Sequence, residues 1–178
     1  DREECITKIK FVKSQFPKDW VLPKVHLLHG DMSGEEMNYL YNHPKVKCMV
    51  SFTHGEGFGR PLLESTMVGL PVMASNWSGQ IDFLDTEKSL LLSGELKQVP
   101  KSARWKDIII KESQWFKVDE STAYNAFTYT FENKYEIKNR AKSLMDKNRK
   151  KFTHSKMTEL LNKILDKYMK DTPSQVEF

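Results

Sequence analysis

Between residues 47 and 84 the chain alternates short apolar runs with helical patterns, and this alternation constrains its fold most strongly. Residues 47–52 and 71–75 are largely apolar, as strands covered on both faces are. Pro61 suits the first turn of an intervening helix, and Gly69 suits its end. Residues 79–84 then begin a short helix. Strands and helices at these intervals predict an α/β fold with a parallel sheet and helices on its faces.

Further elements are predicted before this stretch. Residues 3–16 place Ile6, Ile9, Val12 and Phe16 on one stripe, which predicts an amphipathic helix. Residues 25–28 form a short apolar run that predicts a strand. Ser33 and Glu36 have the spacing of a capping box, so we expect a helix to begin there.

After the central stretch, residues 90–92 and 108–110 are candidates for short strands. From residue 121 onward the apolar spacing predicts three helices, the last of them capped by Thr153 or Ser155. We interpret Trp105 and Trp115 as packing anchors between the sheet and this helical tail.

Composition limits the function classes. The chain has 178 residues and a formal net charge of +4, which suits one ordinary domain with a helical extension. Ten lysines and two arginines lie between residues 134 and 170. A solvated helix face is the favoured interpretation over a nucleic-acid patch, because aromatic residues are not interleaved in the stripe that RNA binding would require; contact with a membrane surface stays open.

Cysteine and histidine usage carries little functional signal. Cys5 and Cys48 are far apart, which favours free thiols in a reducing compartment and therefore a cytoplasmic location. The five histidines form no zinc-ligand pattern, so we expect no metal site. No apolar run is long enough to predict a membrane-spanning helix.

Residues 51–64 hold the most informative constellation. Three glycines in residues 53–59 allow a close approach of the backbone to a ligand at the end of a buried strand. The first free amides of the next helix, near Leu62 and Leu63, are expected to face a diphosphate. Glu56 on the loop and Glu64 one turn into the helix are expected to face one cavity. Carboxylates accept hydrogen bonds from paired sugar or ribose hydroxyls.

Glu56 and Glu64, with Gly-Phe-Gly after the first and Pro before the second, resemble the donor-site signature of retaining GT-B glycosyltransferases of the family-4 group. Residues 27–33, 68–75 and 78–82 are also similar to that family. The resemblance implies a Rossmann-like parallel sheet with flanking helices, the C-terminal half of a GT-B fold, followed by C-terminal helices.

The resemblance also assigns roles. Glu56 would contact the transferred sugar near the reacting centre, and Glu64 would hold the ribose hydroxyls. His54 is either a proton shuttle or a residue that orients the loop. The other predicted donor contacts are Gly57, Phe58, Gly59, Arg60, Leu62 and Leu63 at the sugar and phosphates, and His29, Asp31 and Met32 near the base.

Four residues depart from the family pattern, and two of them, Ser65 and Thr66, replace the usual Ala-Met. Arg60 stands where a small or apolar residue is common, and either binds a phosphate or lies on the surface. Ser78 replaces the first glycine of a pair.

The predicted organisation follows from the resemblance. Residues 1–118 are expected to be the nucleotide-sugar-binding domain without its first strand, residues 119–172 a helical segment packed on it, and residues 173–178 a frayed tail. The expected partners are a UDP- or GDP-sugar, a glycan or other hydroxyl acceptor, and an N-terminal GT-B domain missing from this chain. Nucleic acid is not expected.

The predicted function is retaining transfer of a sugar to an acceptor hydroxyl, with no cofactor and no metal. Two alternatives stay open: a catalytically silent nucleotide-sugar-binding fragment, and an epimerase or phosphorylase relative with the GT-B fold. The Gly-Phe-Gly loop after Glu56 argues against the second, and turnover assays discriminate the first.

Overall fold

The computed structural model describes residues 1–169. These residues fall into two units, Asp1–Tyr39 and a larger unit that begins at Leu40. The predicted fraying of residues 173–178 lies outside the described residues, and the predicted boundary at residue 118 stays a prediction.

The first unit holds one complete helix. Helix α1 spans Arg2–Ser14 and is capped by the Asp1 carboxylate, which accepts from the Glu3 and Glu4 amides. This confirms the predicted N-terminal helix. The capping box is also confirmed, because the Ser33 amide donates to Glu36 and the Glu36 amide donates to Ser33 Oγ, at the start of helix α2, Gly34–Asn42.

The strand predicted at residues 25–28 is wrong. These residues adopt no regular secondary structure, and the side chains of Val25 and Leu28 are 51% and 66% exposed. A strand is stabilised by hydrogen bonds to a neighbour, and within residues 1–169 no strand pairs with this segment.

The larger unit contains the predicted parallel sheet. Strands β1 (Met49–Ser51), β2 (Val72–Ser75) and β3 (Leu90–Leu92) pair in that order, and both pairings are parallel. Met49 lies opposite Val72, and Met73 lies opposite Leu90. All four residues of β2 are buried, as expected of the central strand. The α/β fold class is therefore confirmed.

Helices cover this sheet where the sequence predicts them. Helix α3 (Arg60–Met67) connects β1 to β2 and has Pro61 in its first turn. A 3₁₀ helix, Gly79–Asp82, follows β2. The hydrophobic core contains helix and sheet side chains together with Leu144 of the C-terminal segment. Its other buried members are Leu62, Val72, Ala74, Phe83 and Leu84.

An antiparallel hairpin that the sequence did not predict follows the sheet. Strand β4 (Gly94–Gln98) pairs with strand β5 (Gln114–Val118). Residues 108–110 form no strand, because Ile109 makes only a single bridge to Trp105. Trp105 is 65% exposed, so its interpretation as a packing anchor is wrong.

The C-terminal segment is helical, as predicted. Its helices are α4 (Glu120–Glu132), α5 (Lys134–Lys151) and α6 (His154–Tyr168). The Thr153 hydroxyl caps α6 by accepting from the Lys156 amide at 3.1 Å. No helix within residues 1–169 is long and apolar enough to cross a membrane.

Basic side chains near the end of α5 bind the body of the larger unit. Lys147 pairs with Asp85 at 2.8 Å, and Arg149 Nε donates to the Met67 carbonyl at 2.7 Å. These contacts give Lys147 and Arg149 a structural role, and the absence of a nucleic-acid partner stays a prediction.

Candidate functional site

Residues 53–59 form a loop at the carboxyl end of β1, and buried polar groups hold its base. Ser75 Oγ donates to the Thr53 carbonyl at 3.2 Å. Gln80 Nε2 in turn donates to Ser75 Oγ at 2.8 Å and to the Ser75 carbonyl at 3.0 Å. Both Ser75 and Gln80 are fully buried. The loop therefore starts from a fixed point in the sheet.

The main chain of Glu56 is held by the turn that follows β2. The Glu56 amide donates to Ser78 Oγ at 3.2 Å, and Ser78 Oγ donates to the Glu56 carbonyl at 2.7 Å. The Gly79 amide donates to the same carbonyl at 3.0 Å. A Cβ on Gly79 would lie 2.2 Å from the Gly57 carbonyl oxygen, so only glycine fits this approach.

The Glu56 carboxylate itself has no hydrogen bond or ion pair in the part of the chain that the structure describes. Its side chain is half-buried. A charged group on a fixed main chain without a protein partner is available to a ligand.

Phe58 and Gly59 complete the loop. The Phe58 ring packs against Phe83 at a centroid distance of 5.2 Å and against Phe152 at 6.2 Å. Gly59 caps helix α3 with φ of 84°, a left-handed conformation that favours glycine. The amides of Leu62 and Leu63 both donate to the Gly59 carbonyl, at 3.0 and 3.1 Å.

This last contact corrects one expectation. The amides of Leu62 and Leu63 are not free at the helix start, because the capping carbonyl of Gly59 accepts from both. Leu62 is moreover buried in the core. Since Pro61 has no amide hydrogen, the amide of Arg60 is the first one that a ligand would meet on α3.

Glu64 has two partners. Its Oε1 pairs with Arg60 Nε at 3.2 Å, and its Oε2 accepts from the Tyr41 hydroxyl at 3.3 Å. Burial raises the pKa of Tyr41, and the Glu64 carboxylate raises it further. The Arg60 side chain is 84% exposed, so water screens this ion pair. A carboxylate offers about four lone-pair sites, and Glu64 therefore keeps capacity for a ligand.

His54 is held against the β4–β5 hairpin. Its Nδ1 lies 2.7 Å from the Phe116 carbonyl oxygen, and the Phe116 amide donates to the His54 carbonyl at 3.2 Å. Its ring stacks on Trp115 at a centroid distance of 4.0 Å. Because a carbonyl oxygen only accepts, Nδ1 must carry the proton. These contacts fit a residue that orients the loop, and leave Nε2 for a ligand.

The three residues predicted near the base, His29, Asp31 and Met32, lie in the first unit. All three are exposed and precede α2. Their role stays a prediction.

One cavity of about 480 Å³ lies elsewhere in the larger unit. It contains none of the predicted site residues and is lined by Ser93, Gly94, Glu95, Lys97, Lys117, Val118, Asp119 and Glu120. The residues that support the loop and Glu64 were not predicted from the sequence, namely Tyr41, Ser75, Gly79, Gln80 and Phe116. Most of them contact the site from distant points of the chain, which no local pattern reveals.

A parallel sheet with a glycine-lined loop at a strand's carboxyl end defines the class of open α/β ligand-binding domains. Sequence comparison makes this more specific. The glycosyl transferases group 1 family matches residues 19–126, more than half of the chain, and the chain belongs to this family. Membership identifies a glycosyltransferase domain, and the parallel sheet agrees with a Rossmann-like half of the GT-B fold. No curated protein matches the chain.

Proposed function

We propose that this chain binds a nucleotide-diphosphate sugar, a UDP- or GDP-sugar, for retaining transfer of the sugar to an acceptor hydroxyl. One observation carries the proposal: the main chain of Glu56 is fixed at the carboxyl end of a parallel strand, while its carboxylate has no partner within residues 1–169. Membership in the glycosyl transferases group 1 family supports the sugar as the ligand.

In the proposed reaction the acceptor oxygen bonds to the anomeric carbon on the face that the diphosphate leaves. The bond from that carbon to the phosphate oxygen breaks, and the diphosphate departs with the electron pair. The acceptor proton passes to the departing diphosphate. Glu56 contacts the sugar beside the anomeric carbon, where its negative charge stabilises positive charge that develops on the ring.

Arg60 is proposed to neutralise the departing diphosphate. Its guanidinium pairs with Glu64 across an exposed i, i+4 contact, which costs little to break. A diphosphate offers stronger, charge-assisted hydrogen bonds. The Arg60 side chain would therefore move from Glu64 to the phosphates, where the Arg60 amide and the loop amides of residues 57–59 also donate.

The same movement frees Glu64 for the ribose. When Arg60 leaves, Glu64 Oε1 can accept from the two ribose hydroxyls, while the Tyr41 hydroxyl still holds Oε2. Tyr41 is buried, so it fixes the carboxylate from the protein side. His29, Asp31 and Met32 are proposed to contact the base.

The proposal includes three further features of the family pattern. The acceptor, a glycan or another hydroxyl compound, would bind with the help of an N-terminal GT-B domain. The transfer would need no resident cofactor or metal, since Arg60 and backbone amides supply the positive charge. The reaction would take place in the cytoplasm.

Calorimetric titration of UDP, GDP and ADP tests donor binding, once in EDTA and once in Mg²⁺. We expect one of the uridine or guanosine diphosphates to bind in EDTA. Glu64→Gln should weaken that nucleotide roughly 10- to 100-fold, because two hydrogen bonds to a charged acceptor are weakened. Glu87→Gln is the matched control, since Glu87 is exposed and lies outside the site.

Two outcomes contradict the proposal. If no nucleoside diphosphate binds in either condition, the donor site does not exist. If Glu64→Gln and Glu87→Gln bind the nucleotide equally well, Glu64 does not hold the ribose. In an enzyme that contains this chain and the proposed N-terminal domain, Glu56→Gln should lower kcat and leave nucleotide affinity unchanged.

A further inference from the structure

Ser78 adopts a backbone conformation that serine rarely takes. Its φ is 72° and its ψ is −159°, a region populated almost only by glycine and costly for a residue with a Cβ. In the part of the chain that the structure describes, the only other non-glycine residue with positive φ is Asp107. Ser78 therefore carries a Cβ in a conformation that glycine adopts without strain.

The hydroxyl of Ser78 gives a reason for this strain. A serine hydroxyl has one donor hydrogen and two acceptor lone pairs. Ser78 Oγ uses both functions on a single residue, accepting from the Glu56 amide at 3.2 Å and donating to the Glu56 carbonyl at 2.7 Å. Neither glycine nor alanine can make these two bonds.

The two hydrogen bonds between Ser78 Oγ and the Glu56 main chain form a clamp, and neighbouring groups support it. The Gly79 amide also donates to the Glu56 carbonyl, at 3.0 Å. A Cβ on Gly55 would lie 3.5 Å from Ser78 Oγ, an ordinary van der Waals distance, so Gly55 lies beside the hydroxyl without crowding it. The buried Gln80 side chain, two residues after Ser78, anchors the turn to Ser75. The turn is therefore rigid enough to maintain a strained residue.

We infer that Ser78 is a positioning residue, which fixes the main chain of Glu56 so that its carboxylate meets the sugar at the proposed reacting centre. The inference deepens the proposed function and rests on it for its effect on turnover. Its structural part, the restraint of the Glu56 main chain, is measurable without any sugar nucleotide.

Two substitutions separate the hydroxyl from the strain. Ser78→Ala removes the hydroxyl and keeps a Cβ in the strained conformation. Ser78→Gly removes the hydroxyl and relieves the strain. Ser78→Gly should therefore melt at a higher temperature than Ser78→Ala, whereas both should lose the clamp equally. Ser102→Ala is the control, because Ser102 is exposed and distant in sequence from the loop.

The first measurement is amide hydrogen exchange by NMR on the chain without ligand. We expect the Glu56 amide to lose roughly tenfold in protection in both Ser78 variants. The Met49 amide, which donates to the Pro71 carbonyl at 2.8 Å, reports on the sheet and should change less. If Glu56 keeps its wild-type protection in Ser78→Ala, the inference is overturned, whatever the function of the site.

The second measurement is turnover by an enzyme that contains this chain and the proposed N-terminal domain. Both Ser78 variants should lose roughly 10- to 100-fold in kcat, with nucleotide affinity unchanged. A merely structural role predicts instead that activity follows stability, so that Ser78→Gly is more active than Ser78→Ala; that result would overturn the inference. Failure of the wild-type protein to bind any nucleoside diphosphate would refute the proposed function. Hydrogen exchange would still show whether Ser78 restrains the Glu56 main chain.

Discussion

The contact between helix α5 and Asp85 gives a quantitative prediction. Asp85 Oδ2 accepts from Lys147 at 2.8 Å and from Lys88 at 3.1 Å, and Oδ1 accepts from the Glu87 amide at 2.9 Å. Lys147 in particular lowers the pKa of Asp85 from its ordinary value of 3.8 to about 2. The ion pair attaches α5 to the segment that follows the Ser78 turn.

The magnitude follows from this pKa difference. A shift of about two units corresponds to roughly 2 to 3 kcal/mol of unfolding free energy. The Asp85 side chain is 17% exposed, but that of Lys147 is 50% exposed, so water screens part of the attraction. We therefore expect Asp85→Asn to lower the free energy of unfolding by about 1 to 2 kcal/mol at neutral pH.

The pH dependence has a definite sign. Because the folded-state pKa is depressed, the ionised carboxylate stabilises the protein above its unfolded-state pKa, near 3.8. This contribution falls as the pH decreases towards about 2, where the carboxylate protonates in the folded state as well. The difference between wild type and Asp85→Asn should therefore shrink across this range.

Urea unfolding at several pH values, followed by circular dichroism, measures the effect. Glu87→Gln is the matched control, because Glu87 carries an exposed carboxylate on the same turn. Equal stability of Asp85→Asn and Glu87→Gln at neutral pH would refute a stabilising role for the Asp85 ion pair. A deficit of Asp85→Asn that does not change as the pH falls would refute it equally.

Two further predictions concern packing around the site. Gly79→Ala should lower the free energy of unfolding by at least about 2 kcal/mol, because its Cβ would lie 2.2 Å from the Gly57 carbonyl oxygen. Gly57→Ala should cost less, because a Cβ there meets open space, and thermal melting of both variants measures the difference. Asn148→Ala should lower the free energy of unfolding in urea by about 2 to 4 kcal/mol, since the buried Asn148 side-chain amide donates to Thr66 and to the Phe83 carbonyl. A smaller loss for Asn148→Ala than for Asn139→Ala, a control at an exposed residue, would contradict this prediction.

The elements that could be predicted from sequence have strong local patterns. Apolar runs predicted strands β1 and β2, and Pro61 and Gly69 predicted the two ends of helix α3. The three-four spacing of apolar residues predicted the C-terminal helices. In each case the signal lies within a few residues of the element. The run at residues 25–28 shows the limit of this approach, since apolar residues alone do not supply a partner strand.

The β4–β5 hairpin could not be predicted for a related reason. All five residues of β4 are exposed, so the strand lacks the apolar alternation that predicts a half-buried strand. Its stability comes from pairing with β5 across the intervening residues 99–113, which is a non-local property. The contact of His54 with Phe116 was therefore also absent from the sequence-based site.

At the candidate site, sequence indicated the residues but not their partners. Glu56, the glycine loop and Glu64 follow each other in the chain, and their spacing predicted the donor site. The contacts of Glu64 with Arg60 and Tyr41 depend on side-chain placement and on a partner 23 residues away. The strained conformation of Ser78 has no sequence signature, because serine is not a residue that usually indicates positive φ.

The most direct test is an NMR titration of the isotope-labelled chain with the nucleoside diphosphate that binds best. The account predicts that the largest amide shifts occur in the loop and at the start of α3, at Gly57, Phe58, Gly59 and Arg60, and that Glu64→Gln reduces them at equal nucleotide concentration. Shifts concentrated instead around the hairpin cavity, at residues 93–97 and 117–120, with the loop amides unmoved, would contradict it.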